Sequence, residues 1–153
     1  MNKNEIIQFC SQLMNTTEVA YFTTVYDGVP YTRALENLRN KKKFPKSSKM
    51  FAGHRNDLVV YFSTNTSSTK VKHIQKNPHV SVYYCKPMEY RGVMLGGLIE
   101  IISDQNIKEC LWEEGWERFY PGGVEDEDYT ILHLLPKHIR GWNQNKTFVL
   151  DLE

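Results

Sequence analysis

Seven consecutive residues, Ser63-Thr64-Asn65-Thr66-Ser67-Ser68-Thr69, present six hydroxyls and an amide, and Lys70 follows at once. They stand between an apolar run, Leu58 to Phe62, and a helical pattern with Val71 and Ile74 on one side and Lys70, Lys72 and Lys76 on the other. A helix start leaves several backbone N–H groups unpaired and carries partial positive charge. Hydroxyls at the cap and a lysine in the first turn therefore make a seat for a phosphate dianion. The same residue types also make an ordinary Ser/Thr cap, and the segment by itself does not separate the two readings.

A second residue stands out by its neighbours. Val29, Tyr31, Arg33, Leu35 and Asn37 alternate along one face of a strand, which sets a lone arginine in a mostly apolar row. Arg33 is either a solvated or ion-paired strand residue or a cation kept for an anion. Other reactive types are less organised. His54, His73, His79, His133 and His138 lack the helical spacing of a metal pair, so no metal is expected. Cys10, Cys85 and Cys110 are odd in number and far apart, which reads as three reduced thiols. The run Glu125-Asp126-Glu127-Asp128 lacks the calcium-loop pattern and reads as a solvated loop. No Ser-His-Asp, Cys-His or paired-carboxylate arrangement emerges from local spacing, and no catalytic residue is assigned.

The elements that must position these groups follow from periodicity. Asn4 to Met14 is an amphipathic helix. Val19 to Val25 and Val29 to Leu38 form a hairpin about the turn pair Asp27-Gly28. Residues 39–56 are basic, with Lys41-Lys42-Lys43, Lys46, Lys49 and Arg55, and read as a long loop: a solvated segment, a lid, or a grip on an anion. The helix after Thr69 stops at Asn77-Pro78, and a strand runs on to Tyr84. A long strand from Arg91 to Ile102 contains Gly96-Gly97, which signals a bulge or a close approach by another backbone or ligand. One or two helices occupy Asp104 to Phe119, and Tyr129 to Leu135, His138 to Trp142 and Thr147 to Leu152 are closing strands.

Composition sets the frame. The chain has 153 residues, 41% hydrophobic and 24% charged, with a net charge of +1, which suits one compact domain spanning residues 1–153. Balanced charge gives no global argument for nucleic acid or an anionic membrane as partner. No apolar run is long enough to span a bilayer and no leader is evident, so a cytoplasmic protein is expected. Hairpin-linked strands with few, peripheral helices predict a mainly β (α+β) fold, an antiparallel barrel rather than a doubly wound sheet.

The ordered set PYTRALENL, FSTNTSSTKVKHIQKNPHVSVYY, YRGVMLGGLIEI and LLPKHIRGW resembles the pyridoxamine 5′-phosphate oxidase-like flavoproteins, in particular their general stress protein branch. The resemblance spans roughly Val19 to Trp142. It implies a six-stranded antiparallel split β-barrel that binds flavin mononucleotide (FMN) at the interface of a homodimer. It further implies that Arg33 pairs with the FMN phosphate and that the main chain of Ala34 and Leu35 runs along the flavin edge. Ser63 and Thr64 would end the next strand at the cofactor, and Ser68, Thr69 and Lys70 would stand for a Ser-Arg-Lys phosphate triplet, one positive charge short at Thr69. Trp142 would reach the flavin from the other subunit, although a core or interface aromatic is an equal reading. Gly92 falls where the oxidases place a glutamine. The oxidases' C-terminal Arg-Leu-x-Pro segment has no counterpart in Phe148 to Glu153, which sets vitamin B6 oxidation apart from the expected activity. The expectation is an FMN-dependent oxidoreductase acting on an unknown small substrate, or else a non-catalytic flavin-binding or stress-response module; haem or a deazaflavin is the third alternative.

Overall fold

The computed structural model describes residues 1–52 and 58–152. Strands β1 (Val19–Tyr26) and β2 (Val29–Glu36) meet at Asp27 and Gly28, whose φ angles of 51° and 76° give a turn that matches the twist of paired strands. That turn sets the register from Tyr26↔Val29 to Val19↔Glu36. The remaining described strands are β3 (Val60–Asn65), β4 (His79–Lys86), β5 (Arg91–Ile102), β6 (Tyr129–Leu134), β7 (His138–Asn143) and β8 (Lys146–Asp151). All pair antiparallel in one sheet with the path β2-β1-β4-β5-β6-β3, and the β7–β8 hairpin joins through β5.

β5 is the branch point. One of its edges pairs with β4 throughout Arg91–Leu98, while the other pairs first with β7 at residues 91–96 and then with β6 at residues 99–102. Gly97 lies where the partner changes. A Cβ there would come within 3.1 Å of Leu134 Cδ1 and 3.2 Å of the Leu135 carbonyl oxygen, so glycine is what lets the β6–β7 connection approach this closely. The curled path ends on β2 at one side and β3 at the other, each paired along one edge only. The architecture is thus a half-closed antiparallel barrel with a few helices, and the gap between β2 and β3 is its split.

The concave side holds the core. Helix α1 (Lys3–Thr16), closed at its start by the reciprocal Asn2–Glu5 capping box, lays Ile6, Cys10, Leu13 and Met14 against Phe22, Phe62, Val82, Leu95 and Leu132. Burying a side chain such as Phe22 contributes about 2–3 kcal/mol. A second cluster gathers Leu38, Phe44, Phe51 and Val59 with Leu111, Trp116, Tyr120, Tyr129 and Ile131.

Two expectations are corrected by these contacts and by those of Asp128. The basic stretch, as far as residue 52, is not a solvated loop: it carries the short helix α2 (Lys49–Ala52), Phe44 and Phe51 are buried, and Glu113 Oε1 accepts from the backbone N–H of Lys46 and Ser47 at 3.1 and 2.6 Å. Apolar anchors between the lysines dock it; residues 53–57, with His54 and Arg55, lie outside the described residues. The acidic run is not merely solvated either. Asp128 Oδ2 accepts from Asn65 Nδ2 at 2.7 Å and Oδ1 from the Ser67 N–H at 2.8 Å, and the Asp128 carbonyl takes the Thr66 N–H at 2.7 Å. The span Asp104–Phe119 resolves into α4 (Gln105–Cys110) and a single 3-10 turn at Trp116–Arg118, because Gly115 takes a left-handed φ of 88° between them.

Candidate functional site

Arg33 sits on β2 opposite Phe22, so it projects to the concave side of the sheet. NH1 makes all of its hydrogen bonds: it donates to Thr24 Oγ1 at 2.8 Å, to the Tyr31 carbonyl at 2.9 Å and, at the limit of 3.4 Å, to the Phe22 carbonyl. The Nε and NH2 edge of the guanidinium has no acceptor among the described residues. Across the split, helix α3 (Thr69–Lys76) begins directly after β3, and Lys70 Nζ donates to Thr64 Oγ1 at 2.8 Å. Thr64 Oγ1 in turn lies 3.5 Å from Ser68 Oγ.

Two cations therefore face one another over the gap between β2 and β3. Burial lowers the Lys70 pKa and the neighbouring Arg33 charge lowers it further; burial alone pulls Arg33 down. Neither forms an ion pair with a carboxylate among the described residues. Ser68 is the N-cap of α3, yet its side chain makes no cap hydrogen bond, so the ordinary-cap reading of this turn does not describe it. The turn is instead held from behind by Asp128, whose carboxyl is kept below the usual carboxylate range by its bonds to Asn65 and Ser67.

The other residues singled out from the sequence divide between two faces. Thr69 is exposed at the first turn of α3, beside the cluster. Ala34 and Leu35 follow Arg33 on β2, whose outer backbone edge no strand covers among the described residues. Ser63 points away from Thr64, as neighbours in a strand must, and its hydroxyl meets Tyr120 among the aromatics. Trp142 belongs to the convex face. The register places Gly92 opposite Trp142, and a Cβ at Gly92 would lie 2.8 Å from the indole ring and would collide with the Tyr83 hydroxyl. Trp142 thus covers Gly92, leaving no room for a side chain there. It packs on Tyr83 with ring centroids 5.7 Å apart, above a groove of about 590 Å³ that includes Met94, Phe148 and Val149. Within one chain, Trp142 and Arg33 lie on opposite faces of the sheet.

Two participants escaped the sequence reading. His73, weighed there only as a metal ligand, is buried behind Arg33, and Thr24 stands between them. Its position three residues after Lys70 on a helix was the available signal. Among the described residues no group of three or more His, Cys, Asp or Glu could hold a metal ion, and no helix is long and apolar enough to cross a membrane.

The fold is that of a half-closed antiparallel split barrel, with the Arg33 and Lys70 cations beside its gap. The sequence pattern of the family pyridoxamine 5′-phosphate oxidase like matches residues 45–152, and the chain belongs to that family. No curated protein matches the sequence. Among solved structures, it is similar to a protein related to general stress protein 26 of B. subtilis, of the pyridoxinephosphate oxidase family, from Clostridium acetobutylicum. The two are 26% identical over 99% of this chain and 97% of that one, with a TM-score of 0.77. General stress protein 26 from Bacillus anthracis is 19% identical over 97% and 99% of the two chains, with a TM-score of 0.74. A heme binding protein from Mycobacterium smegmatis shares the fold at 10% identity, covering 95% of this chain and 57% of that one, with a TM-score of 0.67.

Proposed function

We propose that the chain is an FMN-binding flavoprotein of the cytoplasm that works as an oxidoreductase on a small substrate. The observation that carries the reading is the pair Arg33 and Lys70: two partly buried cations, without a carboxylate partner among the described residues, beside a helix start whose cap hydroxyl makes no cap hydrogen bond. Burying like charges without a counter-ion is costly unless a ligand supplies the opposite charge. A phosphate fits: the Nε and NH2 edge of Arg33 offers paired donors, Lys70 adds a point charge, and Ser68 with the first N–H groups of α3 completes a cradle. A bound flavin would supply hydride or electron transfer. The chain's own part is to hold the phosphate and to run the unpaired edge of β2, at Ala34 and Leu35, beside the ring.

The same reading calls for a homodimer. The register aligns Ala34, Tyr21, Tyr83, Met94, Arg140 and Val149 across the convex face, where Tyr21, Trp142 and Val149 remain 38, 36 and 68% exposed. A sheet with apolar residues on both faces requires a second cover. A twofold partner would cover this face and bring its own Trp142 toward the neighbouring flavin. The heme-binding relative shows that the fold alone does not set the cofactor; the cation pair favours a phosphorylated flavin. Purified protein should show a flavin absorbance spectrum and bind FMN more tightly than riboflavin, and equal affinity for the two would remove the phosphate argument. Bleaching by NAD(P)H and recovery with an acceptor supports the enzyme; stoichiometric FMN that no reductant bleaches supports the binding module.

A further inference from the structure

We propose that Thr24 and His73 form a hydroxyl–imidazole relay that positions the Arg33 guanidinium for a phosphate, with the His73 proton on Nε2. The inference deepens the phosphate reading of this site and rests on it. Arg33 NH1 lies 2.8 Å from Thr24 Oγ1, and Thr24 Oγ1 lies 2.9 Å from His73 Nδ1. A guanidinium can only donate, so the threonine oxygen accepts from it, and the single hydroxyl hydrogen is left for another acceptor. His73 Nδ1 is the group placed to take it. The imidazole must then be neutral, with its hydrogen on Nε2. The opposite tautomer would aim an N–H at an oxygen that already accepts from Arg33 and would leave the hydroxyl hydrogen unpaired beside a fully buried threonine. A protonated ring would do the same and add a third positive charge to a site that already holds Arg33 and Lys70.

The ring has little freedom to leave. Tyr26 stacks on it with centroids 4.7 Å apart and 19° between the planes, and Tyr31 leans on it at 4.8 Å. Tyr31 acts twice, since its carbonyl also accepts from Arg33 NH1 at 2.9 Å. Both NH1 hydrogens are thereby spent on the protein, which sets the guanidinium plane and turns its Nε and NH2 edge free. Preorganisation of this kind spares the ligand the cost of immobilising a long side chain. Thr24 and His73 touch no ligand themselves; they act through Arg33.

Two readouts test the relay. Nitrogen-15 NMR of the apoprotein should show His73 as the neutral Nε2–H tautomer, and an Nδ1–H tautomer would overturn the proposal without any reference to FMN. The second readout is the ratio of riboflavin to FMN dissociation constants, which isolates the phosphate share of binding. Thr24→Val should reduce that ratio about tenfold and His73→Leu by a similar factor, as expected when a charge-assisted contact loses its alignment. Thr24→Ser and His73→Asn, which restore the hydroxyl and an acceptor near Nδ1, should retain most of it. A Thr24→Val protein that folds and keeps the wild-type ratio refutes the relay, and so does a Thr24→Ser protein that loses it as fully as valine. Should the wild type itself bind the two flavins equally, the phosphate reading falls, and the tautomer alone decides whether the relay exists.

Discussion

At the scale of single residues, the site is organised around charges that the fold leaves uncompensated. On the proposed FMN reading, Arg33→Ala with Lys70→Ala should weaken FMN binding by about 3–6 kcal/mol in titrations, the loss of two charge-assisted contacts, with circular dichroism unchanged. The same logic carries a less obvious outcome for the apoprotein. Lys70 is partly buried against Arg33, so Lys70→Met, which keeps the stem and discards the charge, should stabilise the apoprotein by about 0.5–1 kcal/mol, or roughly 2–3 °C, while FMN affinity falls. A melting temperature unchanged or lowered would show that the cation pair is not under strain. His73 carries a pH dependence whose sign follows from its surroundings. Burial first, then Arg33 on β2 and Lys72 on its own helix, lower its pKa from the ordinary imidazole value of 6.5, and the Tyr26 and Tyr31 rings close the remaining sides. Its contribution to stability is complete above that value and is lost as pH falls from there through the lowered folded value. Urea midpoints of the wild type should therefore drop on acidification below pH 6.5, and His73→Asn should remove that part of the slope.

At the scale of elements, what matters is how the β3–α3 turn is held. Ser68 and Lys70 lie beside Thr64, and Asp128, just before β6, anchors the turn through the Asn65 side chain and the backbone N–H groups of Thr66 and Ser67. Asp128→Ala should cost about 1–3 kcal/mol of stability and also weaken FMN binding, because the turn that presents Ser68 and Lys70 loses its brace. Asp128→Asn should recover part of both, since it keeps an acceptor for the Ser67 N–H. Chemical denaturation and flavin titration of the two variants check this pair of expectations. Gly97→Val, in contrast, should unfold the chain or change its topology, since a side chain would displace the β6–β7 connection from β5.

At the scale of the whole molecule, the proposed dimer rests on the exposed apolar residues of the convex face. We expect sedimentation at micromolar concentration to give a dimer, and Val149→Glu, on a side chain 68% exposed in the protomer, to shift it toward monomer while leaving the protomer folded. A stable wild-type monomer with FMN bound would overturn the interface. Trp142→Ala then distinguishes two roles for that ring. A change in flavin reduction rate beyond any change in affinity puts it beside the flavin; a change confined to dimer stability makes it an interface anchor.

Much of this was legible in the chain. The period-2 runs, the Asp27-Gly28 turn and the Asn77-Pro78 stop defined most strands within two or three residues, because alternation and turn stereochemistry are local properties. Arg33 was recognisable as a misplaced charge for the same reason, since it broke the apolar row around it, whereas Lys70 fitted the polar side of its helix and drew notice only by following the hydroxyl run. Which charges meet was decided only by the curl of the sheet, which brings β2 and β3 to opposite sides of one gap although some thirty residues separate them. The sequence did not reveal that Asp128 braces a turn sixty residues earlier, that Phe44 and Phe51 dock a lysine-rich stretch, or that Ser63 faces Tyr120 rather than Thr64. Those pairings arise from strand register and from burial shared among distant segments, and a single residue's type bears no record of what the folded chain will place against it.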